Sequence, residues 1–334
     1  MAPPVSAARV VAVVGPTAAG KSALSLALAR ELDGEVVNAD SMQLYRGMDI
    51  GTAKLSRAER AGIPHHVLDI WPVTEPASVA EYQRLARQAI DDILARGRVP
   101  VLVGGSGLYV RAVLEHFDFP GTDAALRAGL AAELAETGPG PLYARLAEAD
   151  PAAAASILPS NGRRIIRALE VMELTGTRFT ATLPDPAPYY PSVQIGLDLD
   201  TAVLDERIAR RVADMWRLGL VDEVRRLAAG GLREGRTASR ALGYQQVLRH
   251  LAGECTQAQA AADTVQATRR FVRRQRSWFR RDARVHWLDA ADPVAARRAA
   301  ELARGGQWWP CASRRATVRA TTSSCCPTPM PSST

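Results

Sequence analysis

Lysine is nearly absent from this chain. Of 42 basic residues only two, Lys21 and Lys54, are lysines; the other 40 are arginines. Beside so much alanine, that skew reads as the imprint of a GC-rich genome, and it marks the two lysines for scrutiny. Cysteine is scarce as well, at four residues. Cys255, Cys311, Cys325 and Cys326 show no paired CxxC spacing and no histidine cluster, which argues against zinc and leaves free thiols. Long apolar runs are missing too. The longest lies around Val10–Val14, far too short to cross a bilayer. Met1-Ala-Pro-Pro has neither a charged n-region nor a long apolar stretch, so it does not read as a secretory signal. The expectation is a soluble, cytoplasmic protein.

What is present fits a globular chain. Its 334 residues suggest about two domains. Apolar residues make up 47 % and charged residues 23 %, enough for a sizeable core. The net charge of +7 is compatible with a polyanionic partner.

Residues 9–14 are apolar and β-branched and predict a buried parallel strand. A Gly-rich turn follows, then a helix from Lys21 to about Leu32 with Gly34 as its stop. Further strands are predicted at Glu35–Ala39, Val67–Ile70, Val99–Val103, Val193–Leu199 and Val285–Leu288. Helices are predicted at Ser78–Arg96, in short pieces from Asp123 to Gly176, from Thr201 to about Arg281, and at Pro293–Arg304. Alternating strands and helices give an α/β fold with a parallel sheet. The expected organisation is a flexible start (1–8), a core (9–120), a helical insertion (121–190), a return to the core with basic helices (191–306) and a disordered tail (307–334).

Gly15-Pro16-Thr17-Ala18-Ala19-Gly20-Lys21-Ser22 matches G-x4-G-K-[S/T] throughout, with a strand before it and a helix after. Such a loop cradles phosphates with backbone N–H groups and a helix N-terminus. Lys21 reaches a terminal phosphate, and the Ser22 hydroxyl suits Mg²⁺. The motif specifies a bound di- or triphosphate and leaves the reaction open. Asp40 follows the second strand and is expected at the carboxyl edge of the sheet, where α/β proteins bind ligands. There it could hold Mg²⁺, bind a ribose or accept a proton. Gly104-Gly-Ser-Gly-Leu-Tyr109 is expected to present Ser106 on the same edge.

These segments, with Asn38–Tyr45, Gly47–Lys54, Pro64–Asp69, Asn161–Val171, Arg207–Arg211 and Arg240–Gln245, resemble the tRNA dimethylallyltransferases, also called tRNA isopentenyltransferases. The resemblance runs in order from about residue 10 to 290. It implies a P-loop NTPase-like sheet with a helical insertion for tRNA. It also implies transfer of a dimethylallyl group from dimethylallyl pyrophosphate to N6 of the adenosine on the 3′ side of the anticodon, with Mg²⁺. By resemblance, Asp40 takes the proton of the adenine amine, Ser106 supplies a hydroxyl where the family usually has Thr, and Arg211 with Arg207 holds the pyrophosphate. The resemblance implies tRNA contacts at Asp40, Ser41, Met42, Gln43, Ser106 and Arg127. It extends them to Arg163, Arg164, Ile165, Ile166 and Arg167, and to Arg240, Ala241, Leu242, Gly243, Tyr244 and Gln245. The partner is the tRNA anticodon stem-loop, with no membrane or obligate protein partner and a monomer as the default.

Local physics bears on some of these residues. Arg163, Arg164 and Arg167 crowd the first turns of a helix capped by Asn161, where cations oppose the helix dipole and an anion would relieve them. Between Arg269 and Arg281 seven of thirteen residues are arginine. At helical spacing they fall within an arc of about 160°. Phe271, Val272, Trp278 and Phe279 fall opposite and are expected to pack inward, leaving a phosphate-binding or merely solvated basic face. Tyr45 and Tyr109 suit base stacking or core packing equally. His65 and His66 read as structural. Three rivals share the loop: a P-loop small-molecule kinase, a prenyltransferase acting on free adenine nucleotides, and an RNA-binding NTPase switch.

Overall fold

The computed structural model describes residues 10–117, 119–179 and 187–305. The expected flexible start, residues 180–186 of the expected insertion and the tail with Cys311, Cys325 and Cys326 lie outside them. Six strands form one parallel sheet: β1 (Val10–Val14), β2 (Gly34–Asn38), β3 (His65–His66), β4 (Val99–Val103), β5 (Ser192–Asp198) and β6 (Val285–Asp289). Their order is β3-β2-β4-β1-β5-β6, and every pairing is parallel. β1 lies near the middle and is completely buried, as its run of valines requires. Alternation splits it between two cores. Val10, Ala12 and Val14 join one cluster; Val11 and Val13 join the cluster on the opposite face.

Helices cover both faces. α1 (Lys21–Glu31), α8 (Thr201–Arg217) and α12 (Ala295–Gly305) supply apolar residues to the second cluster. α2 (Val79–Ala95), α3 (Gly107–Leu114), α9 (Leu220–Ala229) and α10 (Tyr244–Leu251) supply the first. α11 (Gln257–Phe279) feeds both, through Phe279 and Val272. Ser78 caps α2 by accepting from the Glu81 N–H at 3.3 Å.

Four helices stand apart: α4 (Ala124–Thr137), α5 (Pro139–Ala149), α6 (Pro151–Ala155) and α7 (Gly162–Thr175). They bury a third cluster of their own, built on Leu130, Leu142, Leu146 and Ile165. Among the described residues no helix is long and apolar enough to cross a membrane.

Two local expectations fail. No strand forms at Val67–Ile70; the short edge strand is His65–His66 instead. Val67 and Asp69 adopt φ of 60° and 57°, and left-handed residues cannot continue a strand. The turn delivers the Asp69 carboxylate to Lys54 at 2.5 Å. Gly34 does not stop α1 either. It opens β2, and Asp33, at φ 48°, makes the left-handed exit.

Candidate active site

The site grows from the loop between β1 and α1. Gly15 adopts φ 131°, and a Cβ there would lie 2.3 Å from the Leu197 carbonyl oxygen. Ala18 and Gly20 are also left-handed, at 69° and 95°. No side chain caps α1 at Gly20, so its first-turn amides are free to meet an anion. Lys21 folds back over the loop and donates to the Pro16 carbonyl at 2.8 Å. Burial lowers its pKa to about 8, with Arg211 adding to the fall and Asp40 opposing it. A bound phosphate would raise it again.

Asp40 stands just beyond β2, held by its neighbours. Its N–H donates to Asn38 Oδ1 at 2.9 Å, and its Oδ1 accepts from the Met42 N–H at 2.9 Å. Arg207 and Arg211 reach in from one face of α8. Arg207 donates to the Ala18 carbonyl at 3.5 Å and Arg211 to the Thr52 carbonyl at 3.2 Å. Burial lowers the Arg211 pKa, and the nearby Asp40 opposes that fall. Ser106 begins α3, its Oγ 3.4 Å from Ser41 Oγ.

Two cavities meet at these residues. The larger, about 990 Å³, covers the phosphate loop and is walled by Lys21, Ser22, Asp40, Lys54 and Arg211. The smaller, about 320 Å³, shares Thr17, Asp40, Thr52 and Arg211 and adds Ser106. It is also lined by apolar Ile208, Val212, Leu242 and Phe271, while Met215 lines both cavities. The cavity over the glycine-rich loop thus meets a second, partly apolar pocket across one carboxylate, Asp40. Among the described residues no three His, Cys, Asp or Glu side chains form a metal cage. Ser22 faces the larger cavity. One hydroxyl there fits Mg²⁺ carried in on phosphate oxygens and kept partly hydrated.

Lys54 plays a structural part. It is buried and held by Asp49 at 2.7 Å, Asp69 at 2.5 Å and the Tyr45 carbonyl at 2.9 Å. Tyr45 and Tyr109 are core residues rather than stacking platforms. Tyr45 donates to the Glu75 carbonyl, and Tyr109 packs on Tyr82 at 4.7 Å between ring centroids. His65 bonds the Ile63 carbonyl oxygen, and His66 pairs with buried Glu35 at 2.5 Å.

Several residues expected to meet RNA are engaged within the protein. Arg127 and Arg167 both pair with Glu170, whose side chain is fully buried. Burial alone would push Glu170 up, but bonds from Arg127, Thr122 and Arg167 hold it at about 2. The anion that relieves Arg167 in the first turns of α7 is therefore internal, three residues along. Ile165 and Ile166 are 0 % and 7 % exposed and belong to the third core. Ala241, Gly243 and Tyr244 are also buried. Tyr244 donates to Glu223 at 2.6 Å. Arg163, Arg164 and Gln245 are exposed, and Arg240 and Leu242 line the smaller cavity. Gln43 donates to the Thr52 carbonyl at 3.2 Å, and Met42 packs against the first core.

The basic stripe of α11 divides in two. Arg276 and Arg280 pair with Asp198 at 3.0 and 2.8 Å, and Arg269 lies 3.5 Å from Asp205. Arg270, Arg273, Arg274 and Arg281 are exposed and make no ion pair among the described residues. Val272 and Phe279 are buried, but Trp278 is 38 % exposed. Its ring edge lies over Gly107, where a Cβ would fall 1.9 Å from Nε1. Thr264, Thr268, Phe271, Gln275 and Trp278 share one face of the helix, spanning about 80°. Thr264, Thr268 and Phe271 of that face line the smaller cavity.

Sequence reasoning missed two residues. Glu223 accepts from the N–H groups of Asp49, Ile50 and Gly51 at 3.2, 2.8 and 3.2 Å, and so shapes the segment under both cavities. Gln275 bonds both the phosphate loop and the Gly104–Gly107 turn. Neither has a local signal: one is an ordinary acid on an amphipathic helix, the other a lone amide among arginines.

The IPP transferase family model matches residues 43–282. The tRNA dimethylallyltransferase of Salinispora arenicola (strain CNS-205) is 78 % identical over 286 residues, 86 % of this chain and 84 % of that protein. That of Streptomyces coelicolor is 69 % identical over 287 residues, 86 % and 91 % of the two chains. The crystal structure of a tRNA isopentenylpyrophosphate transferase from Bacillus halodurans superposes with a TM-score of 0.65 at 42 % identity, covering 89 % of this chain and 94 % of that one. A eukaryotic dimethylallyltransferase acting on tRNA gives a TM-score of 0.76 at 28 % identity, covering 87 % and 77 %.

Proposed function

Because the chain belongs to the IPP transferase family, we propose that it moves a dimethylallyl group from dimethylallyl pyrophosphate to N6 of the tRNA adenosine 3′ to the anticodon. The observation that carries this reading is the junction of the two cavities at Asp40 and Arg211. Pyrophosphate sits on the loop amides, held by Lys21, Arg207 and Arg211. The prenyl chain lies against Ile208, Val212, Met215 and Phe271. The adenine, swung out of its stack, enters beside Ser106.

One carbon–oxygen bond of the donor breaks and one bond from N6 to the allylic carbon forms. The amine proton passes to the Asp40 carboxylate. Pyrophosphate departs with the bonding electrons, and its growing charge is met by fixed donors already in place. The Ser22 hydroxyl would hold Mg²⁺, which would supply charge neutralisation for the leaving pyrophosphate. Arg270, Arg273, Arg274 and Arg281 take the RNA backbone, as do exposed Arg163 and Arg164.

The test is a mass-spectrometric assay. Protein, Mg²⁺, dimethylallyl pyrophosphate and an unmodified tRNA with adenosine beside the anticodon are incubated, and the RNA is digested to nucleosides. We expect an adenosine heavier by one dimethylallyl unit, and little of it from Asp40→Ala. Equal product from the variant removes Asp40 from the chemistry. No product from the wild type, across a broad tRNA set, favours the kinase reading.

A further inference from the structure

Gln275 is the one α11 side chain that touches both loops of the site. Its Oε1 accepts from the Thr17 N–H at 2.9 Å. Its Nε2 donates to the Gly105 carbonyl at 2.9 Å. An N–H can only donate and a carbonyl can only accept, so both bonds together fix the amide's orientation. The side chain is buried at 6 % exposure. Gly105 leaves room for it, since a Cβ there would fall 2.3 Å from Gln275 Nε2. Gln275 meets the phosphate loop on one side and the turn carrying Ser106 on the other. Its neighbours do other things: Arg273 is exposed, Arg274 lines the smaller cavity beside Phe271, and Arg276 pairs with Asp198.

We propose that Gln275 is a positioning residue for the pyrophosphate seat: it sets the entry of the phosphate loop against the Gly104–Gly107 turn from the helix that forms the basic face. It touches neither substrate and acts through Thr17 and Gly105. This inference rests on reading the loop as the pyrophosphate site. Without Gln275, the Thr17 N–H and the buried Gly105 carbonyl lose their partners. The loop must then reorder before it can grip an anion, and that cost is added to binding.

The test uses the full chain and isothermal titration with inorganic pyrophosphate and Mg²⁺. Gln275→Met keeps the volume and deletes both bonds. Gln275→Glu keeps the acceptor for Thr17 but turns a carboxylate oxygen on the Gly105 carbonyl. Each is expected to raise the pyrophosphate Kd about tenfold or more, the loss of roughly one buried hydrogen bond. Gly105→Ala, which displaces the amide from the other side, is expected to do the same. The donor KM should rise in parallel, while the tRNA KM moves less than twofold. Leu146→Ala, in the third core far from the loop, controls for stability and should lower Tm without changing the pyrophosphate Kd. A pyrophosphate Kd within twofold of wild type in both Gln275 variants overturns the positioning role. So does an equal rise in Leu146→Ala, which would make the effect one of stability. Failure of the wild type to bind pyrophosphate overturns the reading of the loop itself, and this inference with it.

Discussion

Burial makes the Lys21 ammonium a weaker base than a free lysine until an anion arrives. Burial lowers its pKa to about 8 from 10.5 in the unfolded chain. The folded state therefore binds fewer protons than the unfolded state between those values. This one group costs stability at and below pH 8, and the cost fades as pH rises toward 10.5. Pyrophosphate reverses the shift, because an anion beside the ammonium favours its charged form. Binding at pH 8 to 9 should therefore take up protons, and affinity should fall as pH climbs beyond about 8. Titration in two buffers of different ionisation enthalpy measures that uptake, and Lys21→Met should abolish it. The other lysine shares the rarity without the role. Lys54 is neutralised by Asp49 and Asp69 and serves to pin the Asp49–Lys54 segment to the Asp69 turn. Scarcity marks both residues, but only the loop motif separates them.

At the scale of elements, α11 is the helix on which the site depends. One face is the wall of the smaller cavity, and the solvent face carries the arginines. Its charge is not uniform. Arg276 is tied to Asp198 and to Thr201 at 2.7 Å, so it locks the helix to β5 and the start of α8. Arg273 and Arg281 stand in solvent with no carboxylate of the described residues beside them. Replacing Arg273 or Arg281 by Ala should leave Tm unchanged and weaken tRNA binding alike for all sequences. The slope of log affinity against log salt should shrink by about one for each phosphate left unneutralised. Arg276→Ala should instead lower Tm, since it strands the Asp198 carboxylate with Arg280 alone. Binding measured across a salt series, beside thermal unfolding, separates the two classes. Unchanged salt slopes in Arg273→Ala and Arg281→Ala would reduce the stripe to a solvated face.

Two of the buried carboxylates, Glu35 and Glu170, sit in two different units and are both held well below the usual carboxylate range. Glu35 lies under the sheet with His66, Arg96 and Arg98; Glu170 lies in the helical unit with Arg127 and Arg167. Burial pushes both up, but their donors outweigh it and hold each at about 2, against 4.5 in the unfolded chain. A depressed carboxylate stabilises above its unfolded value and loses that contribution as pH falls through its folded value. Stability should therefore decline from pH 4.5 toward 2, in both units at once. Glu170→Gln should flatten that decline in the helical unit and leave it in the sheet. Urea unfolding between pH 5 and 2.5, followed by a probe in each unit, tests this; parallel curves for variant and wild type would refute it.

The amino-acid sequence by itself determined the parallel sheet, the phosphate loop and the carboxyl-edge position of Asp40. These rest on local rules: valine runs, glycine spacing and the alternation of strand with helix. It also marked the third cluster as a helical stretch. Tertiary structure alone decided which charges are already paired. Arg127 and Arg167 read as RNA contacts in the sequence; that both pair with Glu170, 43 and three residues away in the chain, is visible only in the fold. Periodicity places Trp278 inward, yet its ring lies over Gly107 and stays 38 % exposed. Gln275 carries no periodic signal, because its partners, Thr17 and Gly105, lie 258 and 170 residues away. Periodicity reports whether a face is covered, and only the packed chain shows what covers it.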